Sequence, residues 1–181
     1  KKNVLNTAAV SILISSFLFA SIFSIFKIDI SHFTGISTGY LSIIVWILVA
    51  DALTVIPFAY LRLKGSAIKY SVVKIVNVII YFLLNIFLLI FLKDLIHSYE
   101  IFESIYVENY EVAYIFIANL IASISSLLLL LPFYFEINYK ANIELLKRML
   151  AYGFPILISG LAFTINETFD KILLDFLLPA S

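Results

Sequence analysis

The sequence predicts an all-α fold, a polytopic bundle of transmembrane helices, on three observations. Of its 181 residues, 63% are hydrophobic and 13% charged, where soluble domains run at about 45–50% and about 25%. Mean hydropathy of +1.09 leaves too few polar side chains to coat a globule in water. The apolar residues also fall in five long runs, each near the length of about 20 residues that a helix needs to cross about 30 Å of hydrocarbon. Backbone groups in lipid must be satisfied internally, and the alternating segments of a β-barrel are absent, so each run reads as a helix.

The first run, 4–26, follows Lys1 and Lys2 and has the flank of a signal peptide. Its 23 residues exceed an h-region of about 7–15, and no small-x-small cleavage site follows, so it reads as a true span. The second run, 40–61, is interrupted by Asp51 and carries Pro57, which removes a backbone donor and is expected to kink the helix. The third, 70–92, has polar residues on one side only. The fourth, 112–135, has a weak stripe of Asn119, Ser123 and Ser126. The fifth, 150–178, holds Gly153, Pro155 and Gly160 as expected flexible or broken points, followed by a polar outer half. A chain that opens without Met and closes directly after an apolar run is expected to be a piece of a longer protein.

Charge on the connections gives the expected orientation. The link after the second span carries Arg62, Lys64 and Lys69 without an acid, and the link after the fourth carries Lys140, Lys147 and Arg148 against Glu136 and Glu144. Between the third and fourth spans, Asp94, Glu100, Glu103, Glu108 and Glu111 face one lysine. Lys1, Lys2 and the two basic links therefore belong in the cytoplasm, with the C-terminal end outside. The stretch 136–148 is the expected internal boundary, a short interfacial helix in which Glu144 can pair with Lys147 or Arg148.

Charges at membrane depth cost about 2.5–3.5 kcal/mol each on insertion scales and mark sites by default. Asp51 has eleven residues of its span before it and ten after, which puts it near the midplane. It serves either a helix–helix hydrogen bond or an ion- or substrate-linked site. On the third span Ser71, Lys74, Asn77, Tyr81 and Asn85 fall within about 120° of arc, so one wet face lines either a cavity or a polar helix contact. Lys74 is within snorkelling reach of the cytoplasmic surface, whereas Asn77 and Asn85 are too deep. The fifth span brings Asn166, Glu167, Asp170, Lys171 and Asp175. Glu167 with Lys171, and Asn166 with Asp170, stand at i,i+4. The small polar residues of the fourth span read as packing rather than site.

Zero net charge gives no footprint for nucleic acid. No cysteine is present, and His32 and His97 fall in links without metal-ligand spacing. Walker and G-x-S-x-G motifs are absent too, so neither an enzyme nor an ATP-driven pump is expected. No cofactor is expected beyond a coupling H+ or Na+.

Two stretches carry a resemblance. Ala151-Tyr152-Gly153-Phe154-Pro155, followed by Asn166-Glu167-Thr168-Phe169-Asp170-Lys171 and Leu177-Leu178-Pro179, resembles the seventh helix of Wzx-type polysaccharide flippases. Pro57-Phe58-Ala59-Tyr60-Leu61-Arg62, its basic link, and Tyr70-Ser71-Val72-Val73-Lys74 resemble the connection between their fourth and fifth helices. Lys171 stands where Arg is frequent, and a lysine makes point contacts rather than a bidentate grip on phosphate.

The resemblance implies that the chain covers helices three to seven of a two-lobe transporter of about 12–14 helices in the multidrug/oligosaccharidyl-lipid/polysaccharide exporter superfamily. Residues 1–135 then belong to the N-lobe, 136–148 to the cytoplasmic inter-lobe linker, and 149–181 to the first helix of the C-lobe. It implies a cargo, an oligosaccharide on polyprenyl pyrophosphate, flipped across the bacterial inner membrane by alternating access. Partners are this lipid-linked oligosaccharide, membrane lipids and the remainder of the full-length chain. Arg62 is the expected cytoplasmic contact for the arriving headgroup. Asp51, Lys74, Asn77, Asn85, Asn166, Glu167, Asp170 and Lys171 are the candidates along the substrate or ion path. The alternatives are a drug/cation antiporter or lipid II flippase of the same superfamily, and a membrane enzyme of polysaccharide assembly.

Overall fold

The computed structural model describes residues 2–92 and 110–177. Among them the chain is helical without strands: α1 Lys2–Thr34, α2 Thr38–Leu63, α3 Ala67–Ile86 running into a π-helical turn at Phe87–Phe91, α4 Glu111–Glu136, and α5 Ile143–Leu177. All five helices are long and apolar enough to cross a membrane. The acidic link from 93 to 109, with His97, and the side chain of Asp175 lie outside the described residues.

Two helices extend by a turn or more beyond the ends of their hydropathy runs. α1 continues through Lys27, Asp29 and His32 to Thr34, so the expected link of 27–39 shrinks to Gly35–Ser37. Charged residues end an apolar run without breaking a helix, and nothing before Gly35 does so. Gly35, at φ 72°, takes the left-handed turn that closes the helix, with its N–H on the Ser31 carbonyl at 2.9 Å. α5 begins at Ile143, where the Asn142 Oδ1 accepts the Leu145 N–H at 3.0 Å as an N-cap. The separate interfacial helix expected within 136–148 is therefore the opening of α5, where Glu144 pairs with Arg148 at 2.7 Å. α5 also runs unbroken through Gly153, Pro155 and Gly160.

The chain divides into two compact units after Lys140. In the first, α4 packs along both α2 and α3, and α1 packs along α2. α4 makes this possible with small buried residues at i, i+4 and i+8, Ala118, Ala122 and Ser126. Lipid tails are as apolar as leucine, so close backbone approach, rather than hydrophobic burial, holds such helices together. Two buried clusters knit the shared end: Ala9, Phe133 and Tyr134 join α1 to α4, and Phe58, Val73 and Leu130 join α2, α3 and α4.

Pro57 creates a local problem that the fold answers. In α2 the Leu53 carbonyl would accept the N–H four residues on, and Pro57 has none. The buried Tyr134 hydroxyl of α4 donates to that Leu53 carbonyl. α4 is finished in turn by Tyr139, whose hydroxyl donates to the Tyr134 carbonyl at 2.8 Å. α2 crosses the proline as one helix because a neighbour supplies the missing donor.

α5 makes up the second unit. Its Glu167 and Lys171 form an ion pair at 2.9 Å, with both side chains more than half exposed.

Candidate functional site

Three of the helices turn polar residues toward one cavity of about 400 Å³. α2 contributes Asp51, Thr54, Phe58 and Arg62, spaced so that they climb one face from its middle to its last turn. Thirteen residues of α2 precede Asp51 and twelve follow it, so its carboxylate stands at the helix midpoint. α3 contributes Tyr70, Lys74 and Asn77, and α4 contributes Asn119, Ser123 and Ser126.

The end of the cavity nearest the α2–α3 link holds two cations on two aromatic rings. Arg62 stands over the Tyr70 ring at 5.3 Å, and the Lys74 Nζ over the Phe58 ring at 4.6 Å. The two rings meet edge to face, with centroids 5.1 Å apart. Each helix supplies one aromatic and one cation four residues apart, Phe58 and Arg62 on α2 and Tyr70 and Lys74 on α3, and each cation rests on the other helix's ring. The ring quadrupole attracts a cation without cancelling its charge. Among the described residues no ion pair joins Arg62 or Lys74 to a carboxylate. Asp51, deeper in the cavity, has none either. The lining thus offers two positive charges at one end, then amide and hydroxyl groups, and one negative charge at mid-helix. Thr54 donates to the Asp51 carbonyl at 2.8 Å, so its hydroxyl still has acceptor capacity toward the cavity.

Of the predicted residues, Asp51, Arg62, Lys74 and Asn77 come together here. Asn85 does not line the cavity: two turns further along α3, its amide donates to its own helix at the Tyr81 carbonyl, 2.7 Å away. Asn166, Glu167, Asp170 and Lys171 lie on α5 in the second unit. Among the described residues Glu167 pairs with Lys171, and no hydrogen bond joins Asn166 to Asp170. Tyr70 carries no sequence signal as a site residue beyond the resemblance, and the spacing of Asn119, Ser123 and Ser126 favours packing. Ser123 and Ser126 are indeed buried, at 2% and 4% exposure, yet they also wall the cavity. The available signal was their i, i+4, i+7 spacing, which puts them with Asn119 on one side of α4. Among the described residues, no group of three His, Cys, Asp or Glu could hold a metal ion.

No protein-family model, curated protein or solved structure matches the chain.

Proposed function

We propose that the chain is part of a carrier that moves a lipid-linked oligosaccharide across a membrane, a flippase of the Wzx type that it resembles in sequence. The observation that carries this reading is the polar cavity walled by α2, α3 and α4, with its uncompensated Arg62 and Lys74 and its mid-helix Asp51. A glycan on a pyrophosphate has two parts that a hydrocarbon core rejects, an anion and a run of hydroxyls. The cavity answers them in order: Arg62 and Lys74 take the anion, and Asn77, Asn119 and the hydroxyls of α4 take the first sugar. Its size suits a headgroup rather than a whole glycan, so the remainder of the full-length chain completes the path. By the charge rule the end carrying Arg62, Lys64 and Lys69 is cytoplasmic, where the cargo arrives. Asp51 in the first unit and, separately, Glu167 and Asp170 on α5 are the proposed candidates for coupling to H+ or Na+. Two cations in the lining weigh against a cavity for cationic drugs.

The test uses the intact gene, by deletion and quantification of polyprenyl-linked glycans in the membrane. The expected result is an accumulated, unexported glycan that wild type clears and Asp51→Asn does not, with Arg62→Gln and Lys74→Met each slowing clearance. Unchanged glycan with raised drug sensitivity would sink this reading in favour of the antiporter.

A further inference from the structure

A second cleft, of about 520 Å³, opens beside the polar cavity at the same end of the first unit. The buried Phe58, Val73 and Leu130 cluster stands between them, since Phe58 lines the polar cavity while Val73 and Leu130 line the cleft. Its polar and apolar parts are segregated by depth. The mouth carries three charges, Lys64 just past the end of α2, Lys69 in the first turn of α3 and Glu136 at the last residue of α4. One and two turns further in, the lining is Val72 and Val76 of α3 facing Leu129 and Pro132 of α4. At 1.5 Å per residue, Lys69 to Val76 and Glu136 to Leu129 both span about 10 Å. The mouth is held in shape by the α2–α3 turn, where Gly65 at φ 70° lets its own N–H reach the Arg62 carbonyl at 3.1 Å and the Ser66 N–H reach the Leu61 carbonyl at 3.0 Å. Lys64 and Lys69 are exposed, and among the described residues neither forms an ion pair with Glu136.

We propose that this cleft binds a phospholipid with a primary-amine headgroup, of the ethanolamine type. Its phosphodiester lies on Lys64 and Lys69, its ammonium on Glu136, and the start of an acyl chain between α3 and α4. Basic clefts between helices at a membrane surface are sites for phosphate headgroups. The carboxylate on the opposite rim narrows the choice. Phosphatidylglycerol lays the same phosphodiester on the lysines but ends in neutral hydroxyls, so it offers Glu136 a hydrogen bond and no opposite charge. A choline headgroup has no N–H to donate. An ethanolamine headgroup presents a negative and a positive centre a few bonds apart, matching the two lysines and the one acid. The apolar walls below the charges accept the chain that follows the phosphate. This site does not depend on the flippase reading, because it uses none of the residues that define the polar cavity.

The experiment is native mass spectrometry of the full-length protein in detergent, with phosphatidylethanolamine, phosphatidylglycerol or phosphatidylcholine of one acyl composition added in turn. The expected result is retention of the ethanolamine lipid over both others. Lys64→Gln combined with Lys69→Gln lowers that retention several-fold, and Glu136→Gln abolishes the preference over phosphatidylglycerol. Val76→Phe, which fills the apolar part, lowers retention of all three. Equal melting temperatures in the same detergent separate loss of the site from loss of the fold. Phosphatidylglycerol held as well as phosphatidylethanolamine by the wild type, or a preference that survives Glu136→Gln, would overturn the proposal. Retention unchanged in Val76→Phe would do the same.

Discussion

Tyr134→Phe removes one oxygen and, with it, the hydroxyl that donates to the Leu53 carbonyl, which Pro57 leaves without its helical partner. The ring stays in its buried cluster with Ala9 and Phe133, so packing is unchanged and the hydroxyl is isolated as the variable. Leaving a buried acceptor unsatisfied costs about 1–3 kcal/mol. Interhelical hydrogen bonds in membranes average about 0.6 kcal/mol and reach about 1.7, because a loosened helix finds other partners. Here Pro57 removes the carbonyl's usual i+4 partner, so the expected loss is at the upper end, about 1–2 kcal/mol. Reversible unfolding of the purified protein in mixed micelles, followed by circular dichroism as the denaturing detergent fraction rises, reads this loss. Pro57→Ala supplies the control, since it restores the N–H that Leu53 lacks. In that background Tyr134→Phe should cost only a few tenths of a kcal/mol, giving a coupling close to the whole effect. An equal loss in both backgrounds would refute the reasoning, because the hydroxyl would then be acting somewhere other than on the proline's orphan carbonyl.

Other consequences follow from the same packing. Ala122→Leu forces three added carbons into the line where α4 approaches its neighbours, and should destabilise by about 1–3 kcal/mol, whereas Ile121→Leu on the exposed side should be near neutral in the same unfolding assay. Gly65→Ala meets open space but must hold φ 70°, so its cost of about 1–2 kcal/mol is one of backbone alone. Replacement by Asn, which tolerates this conformation, should recover part of it in a melting-temperature comparison. Glu167→Gln breaks an exposed i,i+4 pair, so stability should move by no more than about 0.5 kcal/mol. If it also stops glycan export in cells, the loss comes from the coupling role proposed for Glu167 and not from a weakened helix.

The sequence by itself determined the fold class and the five helices, because lipid leaves a backbone only a helix or a closed barrel and the alternating segments of a barrel are absent. It determined less well where helices end. Hydropathy reports the apolar run, while the helix stops where backbone geometry changes, at Gly35 for α1 and at the Asn142 cap for α5. Asp51, Lys74 and Asn77, which line the cavity, were legible as candidates because a polar atom in an oily span is conspicuous. Asn119, Ser123 and Ser126 were not, because small polar residues serve packing and cavity lining with the same spacing, and only the placement of α4 between α2 and α3 shows that they do both. The crossed arrangement of Arg62 on Tyr70 and Lys74 on Phe58 likewise needed two helices side by side. So did the donation from Tyr134 to the carbonyl freed by Pro57. Each of these pairs residues from different helices, and periodicity along one helix carries no information about which face of a neighbour it will meet.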